Sequence, residues 1–480
     1  MRLTRCGSRC EEMERIQYKI SGGLSPEAIE RIAADAFALL ESVGVRIDND
    51  DVLAELSRRQ GVSVREGRAF YGPELVERFI EWVQKDNAEY MLNIPGRDAP
   101  LVRGPFLCTR VWEQQAGRAR MAKVEDLARA SRLMDSFDAE GVPAVHPQDV
   151  DSRLRQVVTA KVAYENSRAM GGFMLAGSVD EAEILCRMGQ AAGRCGVHVC
   201  LQIPHSPLRL DGPSLGIILD MARARRTPAG VAVGGGAMPL AGAAAPLLPP
   251  GFLAQGLAEA LAAYGTGKLL NEKVRGYCSV FPGTFDMRSS GMAMASPEAV
   301  LLWLAVRQLH EHFFGQAVGG DFACMGKVYD AQAAAEKTAA VVTAVLSGAT
   351  TFVNLGMTPM DEVFHFEGAI IDMEILDYAW RLRRGIGWEE TPTVDIVREA
   401  ERDGTFLMHT TTMRFREELW SPSLFTREGL SSWMAAGSPA LLERAAAAAS
   451  DRIEANDYHP EPDVARELER LLEEADKRLV

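Results

Sequence analysis

The sequence has no excess of positive charge, which excludes several classes of function. Its 52 Lys and Arg are outnumbered by 66 Asp and Glu, so the net charge is −14 and the pI is about 5.2. Such a chain has no general attraction for nucleic acid or for an anionic membrane. The first twenty residues also lack the apolar stretch of a secretory signal. We therefore expect a cytoplasmic protein with no nucleic-acid and no membrane partner.

Cysteine is sparse and scattered. The eight cysteines stand at positions 6, 10, 108, 186, 195, 200, 278 and 324. Only the first two lie close together, and no second pair of Cys or His follows at the spacing of a zinc finger. Free thiols in a reducing compartment are the expected state, and we expect no tightly bound metal.

Charge is missing altogether from residues 227 to 258, which include the run "AVGGGAMPLAGAAAP". Repeated proline and glycine break this stretch, so a buried strand, a loop and the start of a helix explain it better than a membrane span. The glycines carry no Gly-Lys-Ser/Thr and no spaced third glycine, which excludes a phosphate loop and a dinucleotide fingerprint. No serine nucleophile elbow is present elsewhere.

The first part of the chain predicts an α+β extension over residues 25–135, after a poorly ordered segment at 1–24. "LSPEAIERIAADAFALLESVG" has a capping Ser25, Pro26 at the first helical position and Gly44 at the end, which predicts a helix. "GPELVERFIEWVQK" predicts a second helix. Residues 417–480 read as a helical extension at the other end.

Between these extensions, short apolar runs alternate with helical patterns. Seven predicted strands lie at 141–149, 169–177, 196–205, 229–239, 275–283, 313–322 and 349–357. Such alternation indicates parallel strands joined by helical crossovers, and seven or eight units fit an α/β fold of the (β/α)₈ TIM-barrel type over 136–416. We place the eighth strand at "GTFLMHTTT", residues 404–412. A doubly wound open sheet is the alternative.

Side chains at the carboxyl ends of barrel strands are the ones that carry chemistry. At these predicted ends, aromatic and apolar residues outnumber polar ones. Asp286 and Asp321 could serve as a pair of glycosidase carboxylates. His205, Cys278, Asp286 and Cys324 could serve as zinc ligands. The bare glycines could let a large flat ligand approach the backbone, or they could allow tight packing of a helix on the sheet.

Five stretches, in order, resemble the trimethylamine:corrinoid methyltransferase superfamily. They are "GGGAMPLAGAAAP", "GTFDMRSSGMAMASPEA", "GKVYDAQAAAEKTAAVVTAVLSGA", "IIDMEILDYAWRLRRGI" and "FREELWSPSLFTREGLSSWMAAG". The resemblance covers nearly the whole chain after about residue 24. It implies a TIM barrel that transfers a methyl group from an amine to cob(I)alamin carried by a separate small corrinoid protein. The corrin ring would then lie on Gly234, Gly235, Gly236, Ala237 and Met238.

Members that act on trimethylamine carry pyrrolysine after strand six, where this chain reads "DFACMGKVYDAQ" with standard residues only. The chain thus resembles the branch that uses quaternary amines such as glycine betaine. That branch needs no general acid, because the leaving group is a neutral tertiary amine. No catalytic residue is assigned. The candidate substrate-binding residues are Phe281, Phe285, Phe364 and Phe366 for the cation, Arg288 and Lys327 for a carboxylate tail, and His205, Gln316, Asn354 and His365.

The sequence also departs from the pattern of the family near the predicted mouth. "DAQAAAEK" has alanines in place of the usual glycine and aromatic residue, and Asn354 stands where histidine is frequent. Two rival functions therefore stay open: a zinc-assisted corrinoid methyltransferase of the methanol type, and a non-catalytic barrel that binds a betaine. We also expect a homo-oligomer.

Overall fold

The computed structural model describes residues 14–89, 99–106, 108–170, 174–194, 199–315 and 317–480. Its strands are β1 Glu14–Ile16, β2 Val45–Ile47, β3 Val62–Arg65, β4 Arg68–Tyr71, β5 Leu101–Val102, β6 Arg110–Glu113, β7 Arg118–Met121, β8 Val199–Gln202, β9 Pro204–His205, β10 Arg209–Leu210, β11 Val231–Ala237, β12 Leu240–Ala241, β13 Arg275–Val280, β14 Gly283–Asp286, β15 Gly291–Ala293, β16 Gly320–Asp321, β17 Thr351–Val353, β18 Met357–Thr358, β19 Val363–Phe364 and β20 Ile386–Trp388.

The helices are α1 Pro26–Ala38, α2 Asp50–Leu56, α3 Pro73–Glu89, α4 Val124–Asp135, α5 Arg155–Asn166, α6 Val179–Ala191, α7 Gly212–Arg223, α8 Pro249–Leu270, α9 Pro297–Phe314, α10 Ala331–Leu346, α11 Phe366–Arg384, α12 Thr393–Asp403, α13 Thr410–Phe415, α14 Leu430–Ala435, α15 Leu441–Glu454 and α16 Pro462–Leu479. Among the described residues, no helix is both long and apolar enough to cross a membrane.

The two helices predicted near the N-terminus are present. The Ser25 side chain accepts a hydrogen bond from the backbone N–H of Ala28, and α1 buries Ile29, Ile32 and Ala36. A π-helical turn continues α1 to Gly44, whose φ is +66°. A side chain there would lie 2.6 Å from the carbonyl oxygen of Ala69, so glycine is required at this bend. The second predicted helix is α3, which runs to Glu89.

Parallel pairing joins eight segments in chain order. β5 and the residues after it pair with residues 140–145, residue 141 pairs with 170, and residue 174 pairs with β8. β8 then pairs with β11 and β11 with β13, while β16 pairs with β17 and β17 pairs back onto β5. One helix from α4 to α10 fills each crossover, and α11 follows the last strand. This order has no reversal of the kind that a doubly wound sheet requires.

Each of the seven strands predicted from the sequence contains one of these segments, so the order of parallel segments is confirmed. At 141–149 and 169–177 the pairing consists of isolated bridges only, and the predicted strand at 313–322 begins within α9. The fold is α/β with parallel strands in sequential order. Within the described part of the chain, no ladder of hydrogen bonds joins β13 to β16.

The strand predicted at 404–412 is wrong. Its apolar residues Leu407 and Met408 are exposed, and α13 begins at Thr410. The imidazole of His409 accepts a hydrogen bond from the backbone N–H of Thr411, which caps this helix and ends any extended conformation. The remaining strand of the parallel series is instead β5, which precedes the other seven in the chain.

The uncharged stretch folds as predicted. It forms β11, β12 and the start of α8, where Pro249 and Pro250 occupy the first helical positions. α8 is buried on all sides from Phe252 to Gly267, which explains why charge is nearly absent from it. Of the C-terminal helices, α15 packs on α11 and α16 packs on α5 and α6. The segment before them is held to α11 by buried Glu374, which accepts hydrogen bonds from the backbone N–H groups of residues 423–425.

Candidate functional site

A cavity lies at the carboxyl ends of β13 and β16, between helices α9 and α10. Its lining consists of Phe281, Pro282, Met294, Ala299, Val300, Trp303, Asp321, Ala323, Ala340 and Ala344. All of these side chains are apolar or aromatic apart from one carboxylate. The setting is the usual place for a substrate in an α/β protein with parallel strands.

Local folding explains how this space arises. After β13 the chain leaves the sheet at Phe281 and Pro282 and turns into the hairpin of β14 and β15, which carries Met294 to the cavity. Ser296 then caps α9, and α9 contributes Trp303. The opposite helix, α10, contributes only alanines, whose small side chains leave the space open.

Asp321 is the one ionisable group among the described residues that line the cavity. The side-chain amide of Asn354 donates a hydrogen bond of 2.9 Å to Asp321 Oδ1. Burial raises the pKa of the Asp321 carboxyl to about 7, while the Asn354 hydrogen bond acts in the opposite direction. Asn354 has a left-handed backbone conformation, with φ of +68°, which aims its side chain at the carboxylate. A cation in the cavity would favour the ionised form of Asp321.

The glycine run has a packing role that its sequence left open. A Cβ atom on Gly235 would lie 2.5 Å from the carbonyl oxygen of Tyr277 and 3.1 Å from that of Ala260, so this glycine lets α8 and β13 approach β11. A Cβ atom on Gly234 would lie 2.5 Å from Gln202 Oε1, and one on Gly236 would lie 2.9 Å from the Phe281 ring.

These neighbours fill the space that the glycines leave. Of the five residues predicted to support the corrin ring, Ala237 is fully buried and Met238 is 42% exposed. The role of the run in holding a corrinoid stays a prediction.

Only some of the predicted substrate residues lie near the cavity. Phe281 lines it and Asn354 contacts it through Asp321. Phe285 is half-buried on β14. Phe364 is fully buried, and the guanidinium of Arg129 lies 4.8 Å from the centre of the Phe366 ring. Phe364 therefore packs in the core, and Phe366, half-buried at the first position of α11, packs against its edge.

The remaining polar candidates are dispersed. His205 is exposed, with its Nε2 atom 3.5 Å from Asp211 Oδ1. Arg288 is exposed in the turn between β14 and β15. Lys327 is exposed and donates from Nζ to the carbonyl oxygen of Met325. Gln316 lies outside the described residues.

His365 is buried at the start of α11. Its ring stacks on Trp112 with centroids 5.4 Å apart and contacts Tyr329 edge to face. Its Nε2 atom shares a hydrogen bond with the hydroxyl of Thr358. Burial lowers the pKa of this imidazole, although the nearby carboxylate of Glu367 opposes the shift. The neutral ring thus stabilises the segment that follows β17 through its hydrogen bond with Thr358.

The four candidate zinc ligands do not come together. Cys278 faces α8, where its thiol donates to the carbonyl oxygen of Ala260, and burial raises its pKa. Asp286 accepts hydrogen bonds from Arg288 and Ser289 within an exposed turn. Across the described ranges, no three side chains of His, Cys, Asp or Glu form a group that could hold a metal ion.

Trp303 was not predicted from the sequence. It lies within "PEAVLLWLAVRQLHEHFF", whose apolar pattern is typical of a helix that packs on a core. Only the position of α9 beside the ends of β13 and β16 exposes its ring to the cavity. One feature of the sequence could have indicated it. Trp303 is a single tryptophan on an aliphatic helix face, four residues after the family motif that ends at Ala299.

An apolar, aromatic cavity with one carboxylate, at the ends of parallel strands, is typical of an α/β enzyme. The chain belongs to the trimethylamine methyltransferase (MTTB) family, whose model matches residues 6–478. The protein is therefore a methyltransferase.

Two relatives differ in their named activity. A glycine betaine methyltransferase of Desulfitobacterium hafniense (strain Y51) is 24% identical over 430 residues, which cover 85% of this chain and 88% of that protein. The trimethylamine methyltransferase MttB of Methanosarcina barkeri (strain Fusaro / DSM 804) is 28% identical over 281 residues, 58% of this chain and 55% of that protein. The solved monomethylamine methyltransferase (MtmB) of Methanosarcina barkeri aligns over 98% of this chain and 97% of its own, with 11% identity and a TM-score of 0.39.

Proposed function

We propose that this enzyme transfers a methyl group from a quaternary amine, glycine betaine or a related betaine, to the cob(I)alamin of a partner corrinoid protein. The observation that carries the proposal is the cavity, in which Phe281 and Trp303 face the same space as the Asp321 carboxylate. Aromatic faces and a carboxylate are the groups that hold a permanent cation in a site with little water. The match to a glycine betaine methyltransferase along most of both chains supports the same branch.

For this reaction the protein mainly has to bind the substrate and orient it. A quaternary ammonium releases a neutral tertiary amine, so no residue has to protonate the leaving group. The ionised Asp321 would hold the ammonium, and the aromatic rings would exclude water from it. Fixing one methyl group toward the acceptor supplies the rest of the rate enhancement.

The residues around the mouth fit a corrinoid carried by another protein. Four apolar side chains near the mouth are exposed: Met238, Leu247, Leu248 and Met287. Leu247 and Leu248 follow β12, and Met287 follows β14 directly. Leu247 and Met287 both approach Gly242, which brings them together into one rim. Such a patch suits the apolar face of a macrocycle and its carrier. When bound, the corrinoid supplies the cobalt nucleophile that accepts the methyl group.

We also infer that the parallel strands close into an eight-stranded barrel that begins at β5. The sequential pairing of eight segments and the single helix in each crossover support this architecture. Residues before β5 would form the N-terminal extension, and the segments after α11 the C-terminal one. The exposed apolar residues Leu407, Met408, Leu419 and Leu430 support the expectation of a homo-oligomer.

A substrate panel tests the proposed function. With excess corrinoid protein, methylation of cob(I)alamin followed by absorbance should be fast with glycine betaine or another quaternary amine. Dimethylglycine and trimethylamine should react at least about tenfold more slowly, because their protonated forms carry an N–H group that an apolar site must desolvate and their neutral forms have no charge for the aromatic rings to attract. Comparable turnover of trimethylamine would contradict the quaternary-amine assignment. Tight betaine binding without transfer to any corrinoid would favour the non-catalytic alternative, and activity lost on chelation and restored by zinc would favour the methanol type.

The apolar rim can be tested apart from the cavity. Leu248→Glu places a charge on a side chain that is 73% exposed, so we expect an unchanged fold. Transfer to the corrinoid protein should fall about tenfold, because the charge must be desolvated on docking. Binding of the quaternary amine, measured by calorimetry without the partner, should stay as it was. Leu301→Glu, on α9 and 65% exposed, is the matched control. An equal loss in both variants would argue against the rim.

A further inference from the structure

A fully buried ion pair lies between α10 and α11. Lys337 Nζ is 2.9 Å from Asp372 Oδ2, and neither side chain has any exposed surface. The Lys337 ammonium also lies 5.0 Å from the centre of the Tyr329 ring. Burying two charges is costly unless further hydrogen bonds satisfy them, so a pair of this kind is a poor device for stability alone.

The same carboxylate oxygen accepts two more hydrogen bonds. The hydroxyl of Tyr329 donates to Asp372 Oδ2 at 2.8 Å, and the backbone N–H of Gly356 donates to it at 2.8 Å. The second contact is the informative one, because Gly356 lies in the turn that follows β17. The ion pair therefore holds a loop at the carboxyl end of a strand of the parallel series.

Gly356 is held in this turn by its backbone conformation and by hydrogen bonds at both its N–H and its carbonyl oxygen. Its φ is +80°, and a Cβ atom would lie 2.8 Å from the Phe364 ring, so no other residue fits. Its N–H is bound by Asp372, and its carbonyl oxygen accepts from the backbone N–H of His365 at 2.8 Å. Two residues earlier, Asn354 adopts its left-handed conformation and donates to Asp321 in the cavity.

We propose that Lys337 and Asp372 are positioning residues for methyl transfer. Asp372 anchors Gly356, the anchored turn sets the backbone of Asn354, and the Asn354 amide orients the Asp321 carboxylate toward the substrate cation. The inference rests on the proposed function, because it takes Asp321 to be the partner of a quaternary ammonium. The Lys337 ammonium lowers the pKa of the Asp372 carboxyl, against the larger effect of burial, which raises it.

Two double variants separate anchoring from charge. Lys337→Met with Asp372→Asn removes both charges but leaves an amide oxygen that can accept from Gly356. Lys337→Met with Asp372→Leu removes the charges and the acceptor together. Both variants bury side chains of similar size. Binding of glycine betaine and of tetramethylammonium would be measured by calorimetry on the full chain, with kcat and KM for methyl transfer and the melting temperature alongside.

The first double variant should bind within about threefold of the wild type, and the second should bind about tenfold more weakly, the loss expected when a hydrogen bond to a charged group is misplaced. Asn354→Ala alone should bind about tenfold more weakly too. Adding Asn354→Ala to the second double variant should cost less than about twofold more, because both changes break one chain of contacts. If the fold-losses in binding of Asn354→Ala and of the second double variant multiply when the changes are combined, the ion pair acts only through general stability.

Asn354→Ala keeps the proposal testable even where the double variants do not fold, since it leaves the ion pair intact. Normal binding by Asn354→Ala would overturn the positioning role while the wild-type activity stood. Absence of binding and transfer in the wild type, with every quaternary amine, would instead overturn the proposed function.

Discussion

Asp321→Asn should lower kcat/KM for the preferred quaternary amine about a hundredfold, since removing one partner of a desolvated charge pair costs about 2–5 kcal/mol. The amide keeps the size and the Asn354 contact of the carboxyl but cannot neutralise a cation. Asp286→Asn is the matched control, because its carboxylate lies in an exposed turn and should change kcat/KM less than about twofold. Equal activity of Asp321→Asn and the wild type would remove Asp321 from the site.

The same residue predicts the pH dependence. With a pKa of about 7, Asp321 in the folded protein takes up a proton as the pH falls below neutrality, so cation binding should weaken from pH 8 to pH 5.5. The effect of the same pKa on folding stability has the opposite sign: stability falls as the pH rises. Between about pH 4 and pH 7 the folded state holds a proton that the unfolded chain has released, so this carboxyl makes folding less favourable as the pH rises through that window.

Asp321→Asn should therefore melt at a higher temperature than the wild type at pH 8 and at a similar temperature near pH 4. Thermal unfolding at the two pH values checks this expectation. A variant that loses both activity and stability at pH 8 would instead indicate a structural role for the carboxylate.

Gly235→Ala should destabilise the protein by about 3 kcal/mol, the upper part of the range for overpacking a core. The new methyl group would lie 2.5 Å from one backbone oxygen and 3.1 Å from another, and neither can rotate away. Gly234→Ala is the comparison, because its nearest neighbours are the ends of the Gln202 and Cys200 side chains, which can move. Denaturant unfolding should show the larger loss at Gly235. A larger loss of stability at Gly234 would mean that the contacts with Gln202 and Cys200, and not the contact with α8, are what require glycine in this run.

Strand prediction succeeded where a strand is a run of apolar and β-branched residues, as in β11 and β13. It failed for β5, which has only Leu101 and Val102, too few residues to show a pattern. The run at 404–412 has the composition of a strand, but the capping side chain of His409 turns it into the start of a helix. A local hydrogen bond therefore determines the conformation of this segment, and periodicity does not report it.

The candidate site was predicted only where a residue follows a strand directly. Phe281 and Asn354 were found in this way, and Asp321 was found too, but as one of two glycosidase carboxylates and not as the partner of Asn354. Trp303 could not be found, because whether a helix residue faces a cavity depends on how the helix packs beside the strands. Phe364 and Phe366 follow the β17 turn in the chain, yet Phe364 is buried in the core and Arg129 covers the half-buried ring of Phe366. Such outcomes depend on contacts between residues far apart in the sequence, which periodicity does not report.

The pairing of β5 with β17 has a consequence for how the chain acquires its structure. Leu101 and Val102 leave the ribosome early, but their partners Thr351 and Phe352 follow only after most of the parallel strands have been made. Until then β5 has an exposed edge, and loop closure over this distance makes the final pairing slow. Nascent chains that stall before residue 351 should therefore be substrates for chaperones and prone to aggregation, whereas release of the complete chain lets both edges be covered at once.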